Sequence, residues 1–184
     1  TAFVHLRIHS EFSLLDSIVR IDDAVKACAA AGMPALAMTD LGNLYGLVKF
    51  YKAAQGKGIK PVFGADLIVR DGEGLSQITA LVMNDTGYKN LIALISRAFV
   101  DGQEQGRPIV QRSWIPLHQE GLIFLLGRGS DVGQALTGSD LSQADRLLAG
   151  WMTQSPTRIY LELMRTSRDG DEEHLHAAVA LAER

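Results

Sequence analysis

Three apolar stretches run directly into residues that could do chemistry. His9-Ser10-Glu11 follows residues 3–8, Thr39-Asp40-Leu41-Gly42-Asn43 follows residues 35–38, and Gly64-Ala65-Asp66 lies on the run that opens at Pro61. Imidazole and carboxylate groups carry protons and offer lone pairs. Sites in α/β folds gather at the carboxyl ends of strands, so the three segments are expected to converge at one end of a sheet. Each residue also has a plain structural reading. His9 can be a hydrogen-bonded histidine at a strand end, and Asp66 a surface strand residue. Asp40 can cap the turn before Asn43, and Asp16 the segment leading to Ile21.

Other candidates read as structural. His174 and His176 are two apart on a helix, face different sides, and are expected at the surface. His118 carries no motif. Gly127-x-Gly129 lacks the Gly-Lys-Ser/Thr ending of a phosphate loop. Trp114 and Trp151 read as packing residues, and Cys28 as a core thiol on the apolar face of its helix.

The elements that must position these groups alternate between strand and helix periods. Residues 3–8 alternate and predict a strand. Ile21, Ala24, Val25, Cys28 and Ala29 recur at helical spacing, with Asp22 and Asp23 in the first turn and Gly32 as the stop. Residues 35–38 predict a buried strand. Leu44, Leu47, Val48 and Tyr51 predict a second helix with those four on one face. Residues 61–69 and 78–83 predict strands, and Tyr88, Leu91, Ile92, Ile95 and Phe99 mark a helix. Residues 102–108 read as a polar loop and the Trp114 region as a helical turn. Residues 122–126 predict a buried strand. Leu141, Ala144, Leu147, Leu148, Trp151 and Met152 give the clearest amphipathic helix. A strand is expected over 158–163 and a helix from Glu172 onward. The alternation implies an α/β layer or barrel with largely parallel strands.

The bulk composition fits a single domain with a full core: 184 residues, 47% hydrophobic and 21% charged. The net charge is -3, and Lys and Arg form no long run. That argues against this segment gripping a phosphate backbone by itself. One cysteine excludes an internal disulfide and fits a reducing cytoplasm. From Thr1 onward there is no basic, then apolar, secretory signal, and no apolar run approaches the roughly 20 residues of a membrane helix.

Five blocks carry a family resemblance. Val4-His5-Leu6-Arg7-Ile8-His9-Ser10-Glu11-Phe12-Ser13-Leu14-Leu15-Asp16 resembles the opening motif of the PHP (polymerase and histidinol phosphatase) superfamily. Ala35-Leu36-Ala37-Met38-Thr39-Asp40-Leu41-Gly42-Asn43-Leu44-Tyr45-Gly46 is similar to its second motif. Gly58-Ile59-Lys60-Pro61-Val62-Phe63-Gly64-Ala65-Asp66, Asn84-Asp85-Thr86-Gly87-Tyr88-Lys89-Asn90-Leu91 and Tyr160-Leu161-Glu162-Leu163 resemble later blocks. They come in family order and span nearly the whole chain. The likeness is to the amino-terminal PHP domain of bacterial replicative DNA polymerase III alpha subunits of the proteobacterial type. It implies a distorted (β/α)7 barrel, here truncated before its last strands. Residues 1–184 would then be a single, carboxyl-terminally incomplete PHP domain of a much longer chain.

In active PHP proteins the resemblance implies a three-metal cluster of His, Asp and Glu side chains, whose cations activate water and neutralise phosphate. Here its first His-x-His pair falls at Arg7 and His9. Arg7 is always protonated and has no lone pair to give. Asp16 and Asp40 match acidic positions, the histidine after Asp40 is Leu41, and a common Glu is Lys49. Asp66 stands where Glu or Asp is usual, and Gln77 falls where a histidine is often found. Arg7 and Lys49 are therefore expected to pair with Asp16, Asp40 and Asp66, replacing the metals as a salt-bridge network.

On this reading the resemblance implies a degenerate scaffold with no metal cofactor of its own and no catalytic activity in this segment. It would brace the remaining polymerase domains and dock the proofreading exonuclease subunit, in the bacterial cytoplasm and away from membranes. DNA and magnesium would be engaged by the parent polymerase. The alternative is an active metal-dependent phosphoesterase (pyrophosphatase or 3′–5′ exonuclease) holding magnesium, zinc or manganese on His9, Asp16, Asp40 and Asp66. A free-standing histidinol-phosphatase relative fits the blocks at residues 58–66 and 84–91 less well.

Overall fold

Ile21, Val25 and Cys28 form the buried stripe of the first helix, α1 (Ile21–Ala30), which ends before Gly32 at a left-handed φ of 67°. The computed structural model describes residues 3–154 and 158–184; residues 1, 2 and 155–157 lie outside that description. After α1 the chain forms β1 (Ala35–Met38), α2 (Leu47–Gln55), β2 (Lys60–Asp71), β3 (Gly74–Val82) and α3 (Asp85–Asp101). A small hairpin, β4 (Gln103–Glu104) and β5 (Arg107–Gln111), leads through a 3-10 turn (Arg112–Trp114) into α4 (Ile115–His118). Then come β6 (Leu122–Leu126), α5 (Asp131–Thr137), α6 (Leu141–Gln154), β7 (Ile159–Leu161) and α7 (Asp171–Ala182).

The sheet runs β4-β5-β2-β3-β6-β7, with β1 also paired to β2. β1–β2, β2–β5 and β6–β7 are parallel; β2–β3, β3–β6 and β4–β5 are antiparallel. The α/β class expected from the alternation is present, but the sheet is mixed rather than largely parallel. The difference comes from residues 71–74, which turn tightly enough to fold β2 back on β3 as a hairpin, with Gly72 at a φ of 57°.

Several local expectations are corrected. Residues 3–8 form no ladder and bend at Leu6; they lie beside β1, His5 and Ile8 accepting from Ala37 and Thr39 N–H at 2.9 Å. Residues 102–108 are not a loop but contain the β4–β5 hairpin, and α5 was not anticipated. On α2 the packed residues are Phe50 and Ala54, while Val48 and Tyr51 are exposed. His174 is buried rather than at the surface, and His176 is exposed.

The main core lies between the sheet and helices α3, α5, α6 and α7, around Phe124, Leu126, Leu91, Leu94, Trp151 and Leu181. Trp151 donates to Asp131 at 3.0 Å, and the Arg112 guanidinium stacks 3.4 Å from its ring centroid. A second core packs α1 and α2 against β1. The polar helix starts are capped locally: Asn84 accepts from Gly87 N–H and Ser130 from Gly133 N–H, each at 3.0 Å. Among the described residues no helix is long and apolar enough to cross a membrane.

Candidate functional site: a saturated carboxylate cluster

Asp66 sits in the interior of β2, opposite Thr79 of β3, and its side chain is fully buried. The strand runs on past Asp66 to Asp71, two residues beyond the expected 61–69. The segment after β1 meets it side by side: Leu41 bridges Asp66 in parallel, and Gly42 N–H donates to the Asp66 carbonyl at 2.7 Å. This pairing, with residues 3–8 laid along β1, brings the three expected segments together.

The Asp66 carboxylate is saturated with donors. Its Oδ2 receives Arg7 Nε at 2.7 Å, Arg7 Nη2 at 2.6 Å, His9 Nε2 at 2.8 Å and Gln77 Nε2 at 2.8 Å. Its Oδ1 accepts from Thr79 Oγ1 at 2.5 Å. Gln77 and Thr79 are two apart on β3 and therefore share the face that meets Asp66. Arg7 also donates through Nη1 to Glu162 Oε2 at 3.1 Å, just beyond β7. The other nitrogen of His9, Nδ1, pairs with Asp16.

Burial pushes the Asp66 carboxyl upward, but the His9 hydrogen bond and the Arg7 and His9 charges outweigh it and hold it below its ordinary value. Burial likewise works against the His9 cation, and the bonds to Asp66 and Asp16 overcome it, raising the imidazole. Glu162 goes the other way: burial lifts it above the ordinary carboxylate range, and Arg7 only partly offsets this.

Two expected members stand apart from this cluster. Asp40 is buried and, among the described residues, pairs with no cation; it accepts from Ser10 N–H at 2.6 Å, Ser10 Oγ at 2.7 Å and Ser13 Oγ at 2.6 Å. It anchors the loop after His9 rather than capping the turn before Asn43. Lys49 does not reach Asp16, Asp40 or Asp66. It pairs with Glu11 Oε1 at 2.8 Å and lies 3.8 Å from Asp22. Glu11 Oε2 in turn accepts from Ile21 N–H at 2.9 Å, so this pair fastens the start of α1. The network expected of Arg7 and Lys49 is thus one of Arg7 and His9. Lys49 leaves it because its helix carries it to the α1 side.

Glu162, Thr79, Ser10 and Ser13 were missed in the sequence. Glu162 had a signal, an acidic residue closing an apolar run in a block already matched to the family. Thr79 had only its two-residue spacing from Gln77.

A divalent ion needs free lone pairs from several ligands at once. Here Asp66 Oδ2 is surrounded by four nitrogens, both His9 nitrogens face carboxylates, and both Asp40 oxygens are taken by serine donors. Among the described residues no group of three or more His, Cys, Asp or Glu is arranged to hold a metal ion. The side chains as placed do not fit the metal cluster that the resemblance implies. What they can do is hold the charge of the buried Asp66 carboxylate in balance.

Comparison with known proteins agrees with the sequence blocks. DNA polymerase III alpha subunits are 51% identical to this chain in Pseudomonas fluorescens and 48% in Escherichia coli K12, over 100% and 98% of it. The chain spans only 16% of the length of these curated relatives. Among solved structures, an amidohydrolase from Chromobacterium violaceum, solved with sulfate and no metal, superposes with a TM-score of 0.65 at 16% identity. A proposed metal-dependent phosphoesterase from Bifidobacterium adolescentis gives 0.64 at 12%. The chain is covered completely in both, and 84% of each neighbour is covered. At such identities the likeness concerns the fold alone. The model of the PHP domain matches residues 5–166, and the chain therefore belongs to the PHP domain family.

Proposed function

We infer that this chain is the amino-terminal PHP domain of a bacterial replicative DNA polymerase III alpha subunit, and that the domain acts as a scaffold rather than as a hydrolase. Identity of 44–51% with alpha subunits over 98–100% of the chain supports the first part. The parent chain would carry out template-directed DNA synthesis with magnesium at a centre outside this segment, in the cytoplasm. The domain would brace the other polymerase domains and dock the proofreading exonuclease subunit.

The observation that carries the scaffold reading is the Asp66 oxygen ringed by Arg7, His9 and Gln77. Fixed side-chain cations stand where the family resemblance puts metal ligands. They supply the positive charge that the buried carboxylate needs, so the old site folds without a divalent ion. Elemental analysis of the purified protein tests this, together with phosphate release from pyrophosphate and from a 3′-ended oligonucleotide. Substoichiometric zinc, manganese and magnesium, and no EDTA-sensitive release, are expected. Stoichiometric metal with EDTA-sensitive release would establish the phosphoesterase alternative instead. The docking role is tested by co-elution of the full-length chain with the exonuclease subunit, and failure of the intact chain to bind would overturn it.

A further inference from the structure

The loop between His9 and α1 carries four aliphatic side chains in six positions, Leu14, Leu15, Ile18 and Val19. None of them is buried, and none joins a core cluster. Leu14 is 82% exposed, Ile18 95%, and Leu15 completely. Single exposed aliphatics are ordinary on a protein surface, but a group of them marks an interaction site. Leu15 also holds a left-handed φ of 67°. A leucine rarely adopts that conformation, and it persists only where the surroundings impose it.

Those surroundings are the old site itself. Glu11 N–H donates to the Val19 carbonyl at 2.8 Å and closes the loop at its neck. Inside the loop, the Asp16 and Ser17 N–H groups both donate to the Ser13 carbonyl, at 3.0 and 3.1 Å. The Asp16 carboxylate pairs with His9 Nδ1, and Ser17 Oγ donates to the His9 carbonyl at 2.8 Å. Ser13 Oγ donates to Asp40 at 2.6 Å. The polar side chains of the loop thus hold it to His9 and Asp40, while its aliphatic ones stand in solvent. A loop ordered before it meets a partner loses little entropy on docking.

We propose that this loop is a docking knob for the polymerase part of the parent chain: Leu14, Leu15 and Ile18 seat in an apolar pocket of the domains that follow the PHP domain, and the charge-balanced site beneath sets the shape of the knob. The occupant follows from length. The chain is 16% of its curated relatives, whereas it already covers 84% of each structural neighbour. Completing a domain of the neighbours' size takes only a short further stretch, and most of the parent polymerase lies beyond it. A tethered domain faces the loop at a high effective concentration that a second copy or a separate subunit must match in bulk solution. Asp16, half-exposed among the aliphatics, repels a phosphate backbone, so nucleic acid does not fit the knob. The proposal rests on the reading of this domain as a scaffold within a longer polymerase. The length of the natural open reading frame and the metal analysis check that reading separately.

The test uses the full-length chain with the photoreactive p-benzoylphenylalanine in place of Leu14 and, in a second variant, in place of Ile18. Both positions are exposed in this domain, so the larger ring leaves its cores intact. After irradiation the expected adduct runs at monomer mass, and its cross-linked peptide maps to the polymerase domains, beyond the end of the PHP domain. Asp16→Ala in the same background keeps the aliphatic side chains but cuts the tie to His9, and it should lower the adduct yield several-fold. Adducts joining two copies, adducts to another protein or within the PHP domain, no adduct from either position, or a yield that Asp16→Ala leaves unchanged would each overturn the proposal.

Discussion

Arg7 and Glu162 lie 155 positions apart in the chain, yet their side chains meet at 3.1 Å. Arg7 thereby ties the amino-terminal segment to the end of β7 while holding the buried Asp66 with its other two nitrogens. One guanidinium thus joins the segment beside β1, the interior of β2 and the end of β7. Its flat fork suits this, because a lysine ammonium offers no planar pair of donors.

Removing Arg7 should therefore be costly. Arg7→Met leaves Asp66 buried with His9 as its sole remaining cationic partner. We expect a loss of about 3 kcal/mol, at the low end for a broken buried pair because the Arg7 side chain is 21% exposed. Glu162→Gln keeps the shape and a polar partner for Arg7 and should cost about 1 kcal/mol. Arg7→Met combined with Asp66→Leu should lose less than the sum of the single changes. Urea unfolding of the parent, of the single variants Arg7→Met, Asp66→Leu and Glu162→Gln, and of the double variant measures these values; strict additivity would mean that the pair is not coupled.

The geometry separates the changes that should rebuild metal affinity from those that should not. Arg7→His removes the guanidinium from Asp66, and Leu41→His adds a ligand on the segment that bridges Asp66. The double variant is expected to retain zinc or manganese through dialysis when the parent does not. Adding Lys49→Glu should give no further gain, because Lys49 lies beside Glu11 and Asp22 rather than beside the cluster. It should instead lower stability through like-charge repulsion. Elemental analysis and thermal unfolding read the two effects independently.

Two histidines should give pH dependences of opposite sign. His9 is raised in the folded protein, net of burial, by Asp66 and Asp16. Its contribution is fully present below the unfolded value of about 6.5 and is lost as pH rises through the folded value. His174 is lowered, first by burial and then by the Arg128 charge, although Asp171 opposes this. Folding keeps it neutral, so stability is lost as pH falls below about 6.5 and the unfolded chain takes up the proton. In melting temperatures from pH 5 to 9, His9→Gln should flatten the alkaline limb and His174→Leu the acid limb. Unchanged limbs in both variants would refute the assignment.

Gly87 explains why a glycine stands inside the Asn84–Leu91 block. A Cβ there would collide with the Gly121 backbone, whose carbonyl lies against the first turn of α3. Gly87→Ala should destabilise by about 1–3 kcal/mol through forced backbone movement. Asn84→Ala should cost about 1 kcal/mol through loss of the cap. Thermal unfolding compares the two, and an alanine at 87 that melts no lower than the parent would contradict the close approach.

The sequence alone determined what depends on neighbours a few residues away. The spacing of Ile21, Val25 and Cys28 makes α1, the run 122–126 makes β6 to the residue, and Asn84 caps α3. It also determined which groups at the old site can ligate and which cannot, since that is a matter of side-chain identity. The tertiary structure decided which charges meet. Arg7 and Lys49 look alike as cations in a string of letters. The extended segment lays one against β2, and α2 turns the other toward α1. Ion pairs act over a few ångströms, and the strand register that sets those distances comes from contacts far apart in the chain.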